Sequence, residues 1–269
     1  MVLTFSGMAS RFHDVVCRTA RSRATTVAGM TFQVLGFIWL GALLGAFAVG
    51  AAGFAFALAA TSLWLHVLDP LRATLLVAAC GTLLHIGLIW RIRDTIEPPR
   101  LLPFVVAGLV GVPIGITVLT RVDPHVIKIV LGVFLIAYGV YALAMPRLPQ
   151  VAAGGRAADA AVGFVSGILG GLGGYSGVLP TIWTQLRGWS KEVSRGVYQP
   201  FILVMQIATL LGAGFVTFDL FSLELIGAAV PALLVGAWLG WVAFGKLDER
   251  RFRQVLAAMI MISGITLVI

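Results

Sequence analysis

The residues best suited to chemistry lie in one short stretch, 163–180, which reads GFVSGILGGLGGYSGVLP. Seven of its 18 residues are Gly, although it sits inside an apolar span. Gly in a helix interior costs roughly 1 kcal/mol relative to Ala, so the pattern predicts a helix that stops and restarts. In lipid, broken backbone persists only where protein covers it or where it lines a cavity. Such a break offers free backbone N–H groups, and the restarting half-helix adds the positive end of its macrodipole. Both suit an anion. The restart falls near Gly173, Gly174, Tyr175 and Ser176. Glycine there allows close backbone approach, and two hydroxyls can donate. A counterpart lies at 50–54, with Gly50 and Gly53 as the close-approach residues and Thr61 and Ser62 just beyond. The plainer reading of the same glycines is tight helix packing through small-xxx-small patterns.

Other polar residues share these spans. Arg195 starts the helix after the Gly-rich element and is followed by Tyr198, Gln199 and Pro200. Its forked guanidinium suits an oxyanion, and a positive-inside anchor would explain it equally well. Gln206 lies 121 residues after His85, each within an apolar run. Polar groups at that depth face the bundle interior or a cavity. His85 suits substrate binding, a pH response or a structural hydrogen bond. The run Gly174-Tyr175-Ser176-Gly177 also has the G-x-S-G shape of a rhomboid nucleophile loop. That chemistry needs a His base within hydrogen-bond reach of the Ser; rhomboid-like chains carry it on a later helix, and no His follows Ser176 here. Cys17 and Cys80 stand alone, without a CxxC or Cys/His cluster, so neither a disulfide framework nor a metal site is expected. No catalytic residue, metal or cofactor is assigned.

The elements that must position these residues are membrane helices. Of the 269 residues, 59% are hydrophobic and 11% charged, against about 25% charged in soluble domains. The net charge of +8 comes from Lys and Arg in short loops, which reads as topology signalling rather than nucleic-acid binding. Residues 1–28 carry Arg11, Arg18, Arg21 and Arg23 without an apolar core; a basic interfacial helix or a disordered tail is expected there, and no signal peptide. Apolar spans run at 30–49, 53–68, 73–90, 101–120, 126–145, 160–172, 175–186, 196–217, 222–244 and 252–269. A crossing takes about 20 residues, so 53–68, 160–172 and 175–186 are too short to cross alone.

The spans fall into two similar halves: a first repeat at 29–145, a linker at 146–159 holding Pro146 and Pro149, and a second repeat at 160–269. The Gly-rich stretches match at an offset near 121, and Arg121-Val-Asp123 matches Lys246-Leu-Asp248 at 125. Weak internal repeats broken at corresponding positions point to a transporter site. Counting Lys and Arg selects the topology. Eight plain crossings leave 9 inside and 10 outside, whereas a re-entrant Gly-rich element in the second half gives 16 inside and 3 outside. The positive-inside rule favours the second arrangement. The expected fold is an all-α polytopic membrane protein of two inverted repeats with broken, re-entrant Gly-rich helices and about 7–8 transmembrane segments. Its N-terminus is expected in the cytoplasm and its C-terminus outside.

With these features the chain resembles the sulfite exporter TauE/SafE family of membrane transporters. The resemblance is carried by Gly-rich broken elements at 45–54 and 167–177, each followed by a short apolar piece and a helix start, Pro70-Leu-Arg-Ala73 and Ser190-Lys-Glu-Val193. It spans about 30–269 and rests on glycine patterns and repeat layout. It implies a secondary transporter in the cell (inner) membrane that exports a small sulfur-containing anion, sulfite or an organosulfonate, and admits a homodimer. A passive anion channel is the alternative. An inside-negative potential drives anions outward by about 2.3 kcal/mol per charge per 100 mV. No paired carboxylates within the spans suggest a coupling-cation site.

Overall fold

The computed structural model describes residues 32–52, 55–144 and 154–243, with 261, 264, 265 and 268 near the C-terminus. The chain divides into two units, Met1–Gly36 and Phe37–Ile269. The described part of the first, 32–36, is helical. The N-tail, Gly53, the core of the linker and most of the last apolar span lie outside the described residues.

Among the described residues every regular element is helical. In chain order the helices are α1 Phe32–Ala52, α2 Phe56–Trp64, α3 Pro70–Ile92, α4 Pro98–Arg121, α5 Pro124–Ala144, α6 Gly155–Gly173, α7 Val178–Leu186, α8 Lys191–Thr217 and α9 Leu220–Ala243. A 3-10 turn, Arg93–Thr95, leads from α3 towards α4. Among the described residues six helices, α1, α3, α4, α5, α8 and α9, are long and apolar enough to cross a membrane. The chain is a polytopic membrane protein. The short spans at 53–68 and 175–186 become nine-residue half-helices, α2 and α7. The span read as 160–172 is longer than its apolar run: α6 continues back through Asp159 and Arg156 to a left-handed Gly154.

The helices after each half-helix start from side-chain caps. Asp69 accepts from the Arg72 N–H at 3.0 Å at the head of α3, and Ser190 accepts from the Val193 N–H at 3.3 Å at the head of α8. Such caps are worth about 1 kcal/mol each. They fix where the chain turns back into the bundle.

Packing repeats with the sequence. A Cβ placed on Gly111 or Gly115 of α4 would run into the carbonyls of Phe164 and Ile168 on α6. A Cβ on Gly236 or Gly240 of α9 would run into those of Leu43 and Phe47 on α1. The second crossing thus reproduces the first, with 43 and 47 taken to 164 and 168 and 111 and 115 to 236 and 240. Close backbone contact of this kind is how helices associate in lipid, where burying apolar side chains gives little driving force. The indoles repeat too. Trp64 of α2 donates to the Ile38 carbonyl at 3.2 Å, and Trp183 of α7 donates to Asp159 Oδ1 at 2.7 Å, with 159 standing 121 residues after 38. Between α4 and α8 lies a core of Phe104, Val112, Ile116, Val197, Phe201 and Met205.

Candidate functional site

Both half-helices begin at kinks in the backbone. Ala55, just before α2, has φ +76° and is the one non-glycine residue with positive φ among those described. Gly174, which ends α6, has φ +78°. Its N–H closes onto Gly170 O at 2.8 Å and that of Tyr175 reaches Leu169 O at 3.2 Å, so the last carbonyls of α6 are used. The starts of α2 and α7 differ from those of α3 and α8: neither has a side-chain cap. The first N–H groups of a helix have no intrahelical acceptor, and among the described residues none of the backbone acceptors takes the amides of Phe56, Ala57 or Leu58 at α2. The α7 start offers fewer, because Val178 N–H is bonded to Tyr175 O at 3.2 Å and Pro180 has no N–H. There the hydroxyls of Tyr175 and Ser176 supplement the backbone.

The two starts meet. A cavity of about 20 Å³ is lined by residues 55–58 from one break and by Gly174, Tyr175, Gly177 and Val178 from the other. His85 of α3 and Ile202 and Gln206 of α8 complete its wall. That volume holds about one water-sized group. His85 is 1% exposed and Gln206 2%. His85 Nδ1 lies 2.8 Å from Gly81 O. A carbonyl only accepts, so Nδ1 carries the proton and Nε2 of the neutral ring is a bare lone pair. Gln206 packs over Gly81, where a Cβ would meet its amide.

Buried polar atoms normally have partners, and here they lack well-formed ones. His85 Nε2 and the Gln206 amide face each other, as do the Tyr175 hydroxyl and Thr61, but none of these pairs closes into a well-formed hydrogen bond, and Ser176 Oγ is buried without one. Five such atoms around two uncapped helix starts mark a site for a polar ligand.

Of the residues predicted from sequence, Gly174, Tyr175, His85 and Gln206 line this cavity. Gly173 and Ser176 adjoin it: a Cβ on Gly173 would run into the Tyr175 ring, and Ser176 is buried against Gly170. Gly50 stands elsewhere, in the α1–α9 crossing beside Gly240. Arg195, Tyr198 and Gln199 occupy the early turns of α8, away from the cavity wall, with Arg195 beside the Tyr198 hydroxyl. Gly53 lies outside the described residues. Sequence reasoning missed Ala55, whose identity gives no sign of a left-handed turn, and Asp159. That carboxylate is 3% exposed and receives, besides the Trp183 indole, Arg187 at 3.7 Å.

The family model described as sulfite exporter TauE/SafE matches residues 37–267. The chain belongs to the sulfite exporter TauE/SafE family. No curated protein and no solved structure matches it. As a TauE/SafE protein it is a membrane transporter, and the matched region contains both breaks, the capped helices that follow them and the cavity between. Among the described residues of this TauE/SafE chain no group of three or more His, Cys, Asp or Glu is placed to hold a metal ion.

Proposed function

We propose that this protein exports a small sulfur-containing anion, sulfite or an organosulfonate, from the cytoplasm, and that the anion binds in the cavity between the two half-helix starts. The observation that carries the reading is the convergence of two side-chain-uncapped helix N-termini on one buried cavity. Each terminus favours a negative charge, by up to about 2 kcal/mol where partly buried. No lysine or arginine lines the wall, so an anion is held by dipoles and hydroxyls and can leave again. A cavity of water size must widen to admit an anion of several heavy atoms, which suits a carrier that changes shape around its cargo better than an open channel.

Two clusters support the orientation. At one end Arg72 meets Asp219 at 3.2 Å, joining the 68–73 and 217–221 loops. At the other, Gly196 lies against Thr95 O and Arg100 stacks over Trp189 at 5.0 Å, joining the 91–100 and 187–196 loops. The second end gathers the loops rich in Lys and Arg, so it is the cytoplasmic end by the positive-inside rule. The test is efflux of sulfite from proteoliposomes under an imposed potential. Efflux above the protein-free rate, lost in Tyr175→Phe/Ser176→Ala, is expected; equal efflux from the double variant would refute the site.

A further inference from the structure

The cavity has a chemical mismatch that the export reading does not resolve. The helix starts offer donors, which an anion needs, but His85 Nε2 presents a lone pair at the same wall, beside a Gln206 amide that can turn either its NH2 or its carbonyl inward. The Nδ1–H bond to Gly81 O at 2.8 Å fixes that tautomer. An anion oxygen brought against a bare imidazole lone pair meets repulsion. A single proton removes it, either on Nε2, which then donates, or on the anion, which then donates to Nε2.

We infer that an anion occupies this cavity together with one proton held between it and His85 Nε2, so that anion and proton cross the membrane as a unit. The inference rests on the export reading and deepens it. Binding linkage is reciprocal: whatever the proton does for anion affinity, the anion does for proton affinity.

Few other groups can compete for that proton. Tyr175 is the one other titratable side chain on the cavity wall. Helix α2 has no ionisable residue, and the one charge of α9 is Glu224, in its second turn. Those of α6, Arg156 and Asp159, lie in its first turns, and α5 has His125 and Lys128 near its start. On α8 the charges end at Arg195, with Tyr198 one turn further, well before Gln206; on α4 Arg100 and Arg121 lie at the ends. On α3 itself the buried Cys80 thiol lies five residues before His85.

The charge of the moving unit follows. Sulfite as a dianion with one proton keeps one negative charge, and an inside-negative potential still drives it out. A sulfonate monoanion with one proton is neutral and ignores the potential, so its own gradient must carry it out against any inward proton gradient.

The test uses the full chain in proteoliposomes with a trapped pH dye and two probes, sulfite and methanesulfonate. Methanesulfonate stays ionised, so any proton it moves must sit on the protein. Expected for the wild type is one proton per methanesulfonate, no response to potential, and a rate falling about tenfold per pH unit above the titration of the loaded site. In His85→Gln, whose amide supplies a donor without titrating, methanesulfonate flux is expected to lose both its proton and its pH dependence and to become potential-driven. Calorimetric titration of the wild type in two buffers of different ionisation heat gives the protons taken up per anion without relying on the variant. Transport or binding of methanesulfonate with no proton taken up overturns the inference and leaves the export reading intact. Proton-linked methanesulfonate flux that persists unchanged in His85→Gln overturns the assignment to His85. Neither probe binding or moving overturns the export reading, and this inference with it.

Discussion

At the residue scale the site depends on two left-handed positions, and the two are filled differently. Gly174 takes φ +78° without a Cβ, and a Cβ there would also run into Val77. Ala55 takes φ +76° with one. A left-handed conformation costs an L-residue roughly 1–2 kcal/mol, whereas glycine forfeits about 0.5–1 kcal/mol in backbone entropy. Ala55→Gly is therefore expected to raise stability by up to about 1 kcal/mol, and Gly174→Ala to lower it by at least as much; thermal unfolding in detergent checks both signs. A destabilised Ala55→Gly would show that the Ala55 methyl packs for more than its backbone costs. These residues also mark what can be seen in a sequence. Gly173, Gly174, Tyr175, Ser176, His85 and Gln206 announce themselves, because glycine and polar groups inside apolar spans need a reason. Ala55 does not, since alanine is the commonplace residue of such spans. Asp159 reads as a linker charge until the fold carries Trp183 and Arg187 to it, a pairing no local pattern encodes.

At the scale of elements, the half-helices are held from outside themselves, because nine residues are too few for an independent helix. α7 is tied to α6 by the Trp183–Asp159 bond, and α6 is seated in turn against α4 along Gly108, Gly111 and Gly115. Removing the indole donor leaves a buried carboxylate with its more distant arginine. Trp183→Phe should cost about 1–3 kcal/mol, and Asp159→Asn, which keeps an acceptor, less; denaturation midpoints compare them, and equal costs would show that the charge rather than the hydrogen bond is what α7 needs. The crossings are less forgiving. Gly111→Val sets a side chain into the backbone of α6, while Gly87→Val meets nothing within 4 Å. Overpacking costs typically about 1–3 kcal/mol, and against backbone there is little room to relax. The yield of monodisperse protein should collapse for the first substitution and stay unchanged for the second. The spacing of these glycines was readable, and so was their repetition; which helix each one faces was not, because small residues specify closeness without specifying a partner.

At the scale of the molecule, two clusters of loops must lie on opposite sides of the membrane, and each can be probed where it is wet. The Arg72–Asp219 end is exposed, with Asp219 also capping α9 by accepting from the Ser222 hydroxyl at 2.7 Å and its N–H at 2.8 Å. Those Ser222 hydrogen bonds, with a lesser contribution from Arg72, hold the Asp219 carboxyl below its ordinary range. A depressed carboxylate contributes stability that is present above its unfolded value and lost as pH falls through the folded one. The pair is solvent-screened, so Asp219→Asn should cost within about 1 kcal/mol at neutral pH, with the gap to wild type closing below the normal carboxylate range. Sidedness is the sharper test. With Cys17 replaced by Ser and the buried Cys80 left in place, single cysteines at Ser190 and Phe218 should react with a membrane-impermeant maleimide from opposite faces of a sealed membrane. If the Lys- and Arg-rich loops at 91–100 and 187–195 face the cytoplasm, Ser190→Cys reacts only after the cytoplasmic face is opened and Phe218→Cys reacts in intact cells. The reverse pattern, Ser190→Cys reacting in intact cells and Phe218→Cys only after the cytoplasmic face is opened, is what plain crossings require and would undo the re-entrant reading of α6 and α7. The two helix starts would then have to reach one cavity along a chain path that the charge pattern does not describe.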